Sequence, residues 1–175
     1  FNNDVFFAMS HGVHRGVLKH GKFDERENFI NKLLLKTPDI RFDLYGMHEK
    51  QPVWADNFIN AISQSKIGLN LSQGKAAKYY SSDRFAQLIG NGLLVMIDEK
   101  TKFGNFFSKK EIILYKNIQD LANKINKYSN DDLARKRIAK NGRDKYFKYF
   151  NSTIIAEFII NKSFNKNRKK YYWEN

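Results

Sequence analysis

The sequence predicts an α/β protein in which a parallel sheet is flanked by helices and followed by further, purely helical segments. Three observations carry this reading. Short apolar runs of period two alternate with runs of helical period through the first 130 residues, the pattern of parallel βαβ units with right-handed crossovers. The stretch Ile67 to Asp98 reads strand, polar loop, helix, glycine pair, strand. Beyond it the strand signals give way, and the C-terminal third is helical throughout.

The elements follow in order. Asp4 to Ser10 forms a first strand around the apolar run Val5 to Met9. His11 to Phe23 holds three glycines, three histidines and three cations, too polar and glycine-rich for a regular element, and reads as the loop after that strand. A helix starts at Asp24 with Glu27 as its capping-box partner, and Phe29, Ile30, Leu33 and Leu34 form its apolar face. Thr37-Pro38-Asp39 ends it, because the residue before a proline resists the helical region. Ile40, Phe42 and Leu44 alternate as a second strand closing at Tyr45-Gly46. After a loop containing His48, Glu49 and Pro52, a helix runs from Val53 to Ser65 with the stripe Trp54, Phe58, Ala61 and Ile62.

Ile67 to Leu71 is the third strand. A loop through Ser72-Gln73-Gly74-Lys75 and the polar cluster Ser81 to Arg84 leads into a helical run, Phe85 to Ile89, that stops at Gly90-Asn91-Gly92. Leu93 to Ile97 is the fourth strand, Ile112 to Leu114 a short fifth, and Ile118 to Tyr128 a helix. Asp131 to Phe150 reads as one helix, bent near Asn141-Gly142. Ser152 or Thr153 then caps another, with Ile154, Ile155, Phe158 and Ile159 on one face. Everything after Asn165 is expected to fray, which divides the chain into a domain over 1–160 and a basic flexible tail over 161–175.

Composition narrows the function classes. A chain of 175 residues can bury one substantial core. It contains no cysteine, which excludes disulfides, thiol nucleophiles and thiolate metal sites and fits a cytoplasmic location. No apolar run approaches the ~20 residues needed to span a bilayer, and there is no signal-peptide pattern. The chain opens inside an apolar strand without an initiating Met, as expected of a piece of a longer protein. The histidines at 11, 14, 20 and 48 lack metal-ligand spacing. A net charge of +13 invites a nucleic-acid reading. The lysines, however, are scattered through every segment, and only Lys162 to Lys170 forms a compact basic cluster. That cluster reads first as a solvated or membrane-surface appendage and second as a nucleic-acid patch.

The chain has no GxGxxG, no Walker A sequence and no G-x-S-x-G elbow, so dinucleotide, P-loop and hydrolase-elbow readings lose their support. What remains is small and cationic residues between a strand's C-terminal end and a helix's N-terminus, where free N–H groups and the helix dipole favour an anion. Arg84 is the most telling. A cation in the first turn of a helix costs about 0.3–1 kcal/mol against the dipole, and is easier to understand if an anion is also bound. The alternative is that Asp83 beside it, or Asp98 or Glu99, balances the charge. Ser81 and Ser82 are ordinary caps or phosphate contacts. Tyr79 and Tyr80 either stack on a base or sugar or serve as packing. In His11-Gly12-Val13-His14-Arg15-Gly16 the glycines allow close backbone approach and Arg15 could fork onto a phosphate, or the segment is a plain surface loop.

Taken together, Leu71-Ser72-Gln73-Gly74, Arg84-Phe85-Ala86-Gln87, Gly90-Asn91-Gly92-Leu93-Leu94-Val95 and, further on, Asn117 to Leu121 with Ile138 to Arg143 resemble the C-terminal, Rossmann-like half of GT-B glycosyltransferases. The likeness is to the group 1 type, especially the spore-maturation-protein-like branch, and covers most of residues 4 to 160. In that family glutamates are common where Gln73 and Gln87 stand here; a glutamine can hydrogen-bond hydroxyls but cannot act as a carboxylate.

The resemblance implies transfer of a sugar from a nucleotide diphosphate sugar to a glycan or lipid-linked acceptor. A bacterial, cytoplasmic enzyme of polysaccharide synthesis is implied, with no metal or other cofactor. The base would lie near Gly46 and Met47 and the pyrophosphate near His14, Arg15, Lys22, Ser81, Ser82 and Arg84, with Ser72, Gly74, Tyr80 and Gln87 completing the donor site. The acceptor domain and the catalytic base would belong to an N-terminal half not contained in this chain; His11 and His14 are candidates for the base by position alone. The aromatic, basic tail Lys166 to Trp173 would hold the protein near anionic lipid. Two other readings compete: a non-catalytic basic α/β module binding nucleic acid or an acidic partner, and a degenerate transferase domain kept for protein contacts.

Overall fold

A computed structural model describes residues 1–10, 25–80, 82–166 and 169–174. Five parallel strands form one sheet in the order β2-β1-β3-β4-β5. They are β1 (Asn3–Ala8), β2 (Phe42–Tyr45), β3 (Ser65–Asn70), β4 (Leu94–Asp98) and β5 (Ile113–Tyr115). Register pairs Phe7 of β1 with Leu44 of β2, Val5 with Ile67 of β3, and Ile67 in turn with Leu94 of β4. The helices are α1 (Arg26–Lys36), α2 (Ala55–Ser63), α3 (Asp83–Gly90), α4 (Ile118–Asn130), α5 (Asp132–Tyr149) and α6 (Ser152–Ser163). The predicted α/β architecture is thus the observed one.

Alternation along each strand feeds two cores, as a parallel sheet requires. Val5, Phe7, Ile67, Leu69, Leu94 and Met96 face α1 and α4. Phe6, Ala8, Val95 and Ile97 face α2 and α3. Helix α5 packs against α3, α4 and β4 and reaches both cores, with Ile138 and Ala139 in the first and Tyr146, with Phe150 just past its end, against the second.

Two glycines set close approaches. At Gly68 in β3 a Cβ would lie 2.7–2.9 Å from the Leu88 side chain, so α3 sits directly on the strand. At Gly142 a Cβ would lie 2.2 Å from the Glu111 carbonyl oxygen. The residue expected to bend α5 instead lets an unbroken helix pass against the chain entering β5. The expected stop of α3 is a Schellman turn: Gly92 has φ +80°, its N–H donates to the Ile89 carbonyl, and the Leu93 N–H donates to that of Leu88.

Several local expectations are corrected. Helix α1 begins at Arg26 with Glu25 at its N-cap and no side-chain cap; Asp24 lies outside the described residues. Trp54 is not part of the α2 stripe but precedes the helix and is 63% exposed, because the helix starts only at Ala55, whose φ is +49°. Asn151, not Ser152 or Thr153, caps α6 through its side-chain oxygen on the Ile154 N–H. Ile159 of the expected apolar face of α6 is exposed.

The described residues 169–174 of the tail pack against the rest of the chain. Tyr171 is buried at 3% exposure, Trp173 stacks on Tyr171 and on Phe150, and the Tyr172 hydroxyl donates to the Phe106 carbonyl at 3.2 Å. Lys162 and Glu174 pair at 2.8 Å. The aromatic residues after Lys170 therefore supply apolar area that returns the chain to the fold, where composition alone suggested a solvated strand of cations.

At the other end of the sheet, Asp4 is buried and binds Lys66 Nζ at 2.7 Å and the Arg41 guanidinium and backbone N–H. Burial pushes its carboxyl up, but the bonds from Lys66 and Arg41 outweigh this and hold it below the ordinary carboxylate range. A depressed folded pKa contributes stability that is present above the unfolded value, about 3.9, and is lost as pH falls through the folded one.

Two predictions follow from these contacts. Asp4→Asn is expected to lower stability by about 1–3 kcal/mol at pH 7, with the gap to wild type closing below about pH 4, measured by denaturant unfolding across pH. Gly142→Ala would gain about 0.8–1 kcal/mol of helix propensity but must displace a backbone carbonyl, an overpacking cost of about 1–3 kcal/mol. It should melt lower than wild type. Gly90→Ala, whose Cβ would meet nothing closer than 3.9 Å, should be neutral or slightly stabilising in the same scan.

Candidate functional site

Strands β1 and β3 are neighbours, yet the chain leaves β1 toward β2 on one side and leaves β3 toward β4 on the other. Loops that diverge in this way open a crevice at the C-terminal ends of the strands, the usual ligand position in an open α/β sheet. A cleft of about 510 Å³ lies there, lined by Met9 and Ser10 after β1, by Trp54 and Asp56 at the start of α2, and by Ser82, Asp83, Arg84 and Gln87 of the α3 entrance.

The α3 entrance is tied to the strand that precedes it. Ser82 is the N-cap residue, extended at φ −80° and ψ 165°, but its side chain does not cap the helix. Its hydroxyl instead donates to Oδ1 of Asn70, buried at the end of β3, at 3.1 Å. Nη1 of Arg84 donates to the Leu71 carbonyl at 3.2 Å, and its guanidinium lies 4.9 Å from the Phe7 ring centroid. The group is thereby held in place at the mouth of the cleft, beside the positive end of α3. Gln87 stands one turn further along the same helix face. Asp98, one of the three alternative partners for Arg84 beside Asp83 and Glu99, accepts from the Lys100 N–H.

A second depression, of about 130 Å³, adjoins this cleft through Leu71. Ser72 and Gly74 line it together with Arg26, Asp98 and Tyr115. Burial raises the Tyr115 phenol far above its ordinary pKa, and the Asp98 charge adds to this, so Tyr115 stays protonated and neutral.

The site residues expected from sequence are thus partly assembled. Ser82, Arg84 and Gln87 share the switch-point cleft, and Ser72 and Gly74 share the depression beside it. Gly46, at φ +76°, lets the loop after β2 touch the loop after β1: a Cβ there would fall 1.7 Å from the Met9 carbonyl oxygen. Met47 is buried in the α1-side core, so its side chain packs inside the protein. Tyr80 is exposed and lines neither depression. His14, Arg15, Lys22 and Ser81 lie outside the described residues.

Sequence reasoning missed Trp54, Asp56 and Asn70. The proline at 52 followed by an aromatic residue and an aspartate was the available signal for the first two, since it marks a helix entrance. Asn70 is polar at the last position of an apolar strand, a place where a buried amide needs a stated partner. Among the described residues no group of three or more His, Cys, Asp or Glu side chains could hold a metal ion.

The model of a family described as glycosyl transferase-like matches residues 25–161. No curated protein matches the chain. Among solved structures, HepE from Anabaena, in complex with UDP, superposes with a TM-score of 0.69 at 13% identity, over 94% of this chain and 49% of its own. Sucrose-phosphate synthase from Thermosynechococcus elongatus gives 0.62 at 13%, over 94% and 45%. The C-terminal domain of LpcC, a group 1 family glycosyl transferase of Francisella tularensis, gives 0.51 at 15%, over 85% of this chain and 84% of that domain. The chain spans about half the length of HepE, and it matches nearly the whole of an isolated C-terminal domain. It belongs to the glycosyl transferase-like family, with the Rossmann-like fold of a GT-B C-terminal domain.

Proposed function

We propose that this domain binds the nucleotide diphosphate sugar of a glycosyltransferase, and that the whole enzyme passes the sugar to a glycan or lipid-linked acceptor. The observation that carries the reading is Arg84, anchored on the Leu71 carbonyl and the Phe7 ring at the positive end of α3, inside the switch-point cleft. The HepE structures, which hold UDP and UDP-glucose, favour a uridine diphosphate sugar.

In this reading the diphosphate lies against the start of α3. As the bond between the sugar's anomeric carbon and the phosphate oxygen breaks, negative charge grows on the leaving diphosphate. Arg84 and the first-turn N–H groups of α3 stabilise that charge without moving, since the guanidinium is already fixed, and preorganisation of this kind is the electrostatic form of catalysis. The reading assigns this neutralisation to protein groups rather than to a metal ion. Trp54 offers a flat apolar face to the base or sugar, and Asp56, Asp83 and Gln87 offer acceptors to hydroxyls. The Asp83 charge opposes a phosphate at the helix start, which places the diphosphate on the Arg84 side. The rest of the enzyme supplies the acceptor site. Peripheral attachment to the cytoplasmic face of an anionic membrane, through Lys166 and Lys170, belongs to the same reading.

The test is a thermal melt against UDP, GDP, CDP, ADP and TDP. A nucleotide at about 100 times its dissociation constant adds about 2.7 kcal/mol, a rise of about 5–10 °C for a domain of this size. UDP should give the largest shift, and Arg84→Ala should weaken it more than about tenfold through loss of a charge-assisted contact. The charge of +13 supports a second reading as a nucleic-acid module. Silence from all five nucleotides together with DNA binding that falls steeply with salt would favour it over the transferase.

A further inference from the structure

Helix α3 has two sides. Arg84 and Gln87 face the switch-point cleft, whereas Phe85 and Ala86 line a separate cavity of about 510 Å³. Its other walls are aromatic: Tyr79 from the loop after β3, Phe103, Phe106 and Phe107 from the turns after β4, Tyr146 from α5 with Phe150 just past its end, and Trp173 near the C-terminus. The volume falls within the roughly 300–1,000 Å³ of small-molecule sites. The lining is mostly aromatic ring, and its polar atoms are the tips of Tyr79, which accepts from Asn105 Nδ2 at 2.8 Å, Tyr146 and Trp173. With no charged side chain among these walls, the space favours a hydrocarbon occupant.

The wall is built at a cost in backbone strain. Tyr79 sits at φ +61°, in the left-handed region, which costs an ordinary residue about 1–2 kcal/mol. Its N–H donates to the Thr101 carbonyl at 2.8 Å and its ring meets Phe106 at 5.0 Å. That bond also brings Lys78 and Lys102 to the same rim. Lys78 is exposed, its Nζ lies 4.8 Å from the Tyr79 ring, and among the described residues no carboxylate pairs with it.

We propose that this cavity takes one aliphatic chain of an anionic amphiphile, with the hydrocarbon against the aromatic walls and the phosphate at Lys78. The chain would sit on the face of α3 opposite the candidate donor cleft. Chain binding itself does not depend on the transferase reading.

The protein's two tryptophans separate the sites, since Trp54 lines the cleft and Trp173 lines the cavity. In Trp54→Phe protein, Trp173 emission is titrated with octyl, decyl and dodecyl phosphate below their micellar concentrations, with dodecyl maltoside and inorganic phosphate alongside. The expected result is a saturable blue shift whose affinity rises about fourfold per added methylene and that inorganic phosphate does not produce. Filling the cavity with Ala86→Phe should weaken it at least tenfold. Lys78→Glu, at an exposed position, should weaken dodecyl phosphate about fivefold and leave the maltoside unchanged. No saturable shift, or equal binding in the Ala86→Phe protein, overturns the hydrocarbon site; equal affinity for phosphate and maltoside heads overturns the anionic head. UDP-induced stabilisation is read separately in the wild-type and Ala86→Phe proteins, so absence of saturable chain binding in the unfilled cavity with UDP binding intact refutes this inference and leaves the donor reading standing, while UDP binding retained in Ala86→Phe shows that the filled variant is folded.

Discussion

A parallel sheet cannot leave either face in water, and the crossovers that cover both faces dictate everything around the site. Because α1 covers one side of β1 while α3 covers the opposite side of β3, the loops above these adjacent strands must part. The cleft is the space they leave. Its location is a result of topology, and the residues that line it only decide what it holds.

Helix α3 turns that space into chemistry. Its amphipathic pattern fixes Phe85, Leu88 and Ile89 in the core, which leaves Arg84 and Gln87 directed to the cleft. Ser82 gives up its capping role to bind Asn70, so the helix entrance is attached to the end of β3 and not merely packed near it. Arg84, through the Leu71 carbonyl, is attached to the same strand end. Strand end, helix start and cation are therefore joined by hydrogen bonds into one unit, as the proposed stabilisation of a developing anion would require.

The fold was legible because alternation and helical periodicity are local. Every strand and helix expected from sequence is present, shifted by one or two residues where a cap or a strained φ intervenes, as at Glu25 and Ala55. The lining of the cleft was legible where it coincided with a helix start, as at Ser82, Arg84 and Gln87. It was not legible where a side chain's role depends on distant elements. Trp54 reads as core by spacing but lies outside because α2 begins after it. Met47 reads as a loop residue beside a base but fills a core position. The tail reads as solvated charge, yet Tyr171 and Trp173 find α6 and Phe150, contacts that no local pattern encodes.

Gly68 has a further consequence. It touches no part of the cleft, but the absence of its side chain lets Leu88, and with it α3, rest on β3. With any larger residue there, the Leu88 side chain or the helix that carries both it and Arg84 has to shift. A deep mutational scan scored by activity would therefore mark a buried glycine in mid-strand as strongly as the cation in the site, and a scan scored by abundance would separate the two. Under the donor reading proposed above, the same coupling would let a substitution inside the sheet alter ligand binding by shifting the seat of one helix, with every residue that faces the cleft unchanged.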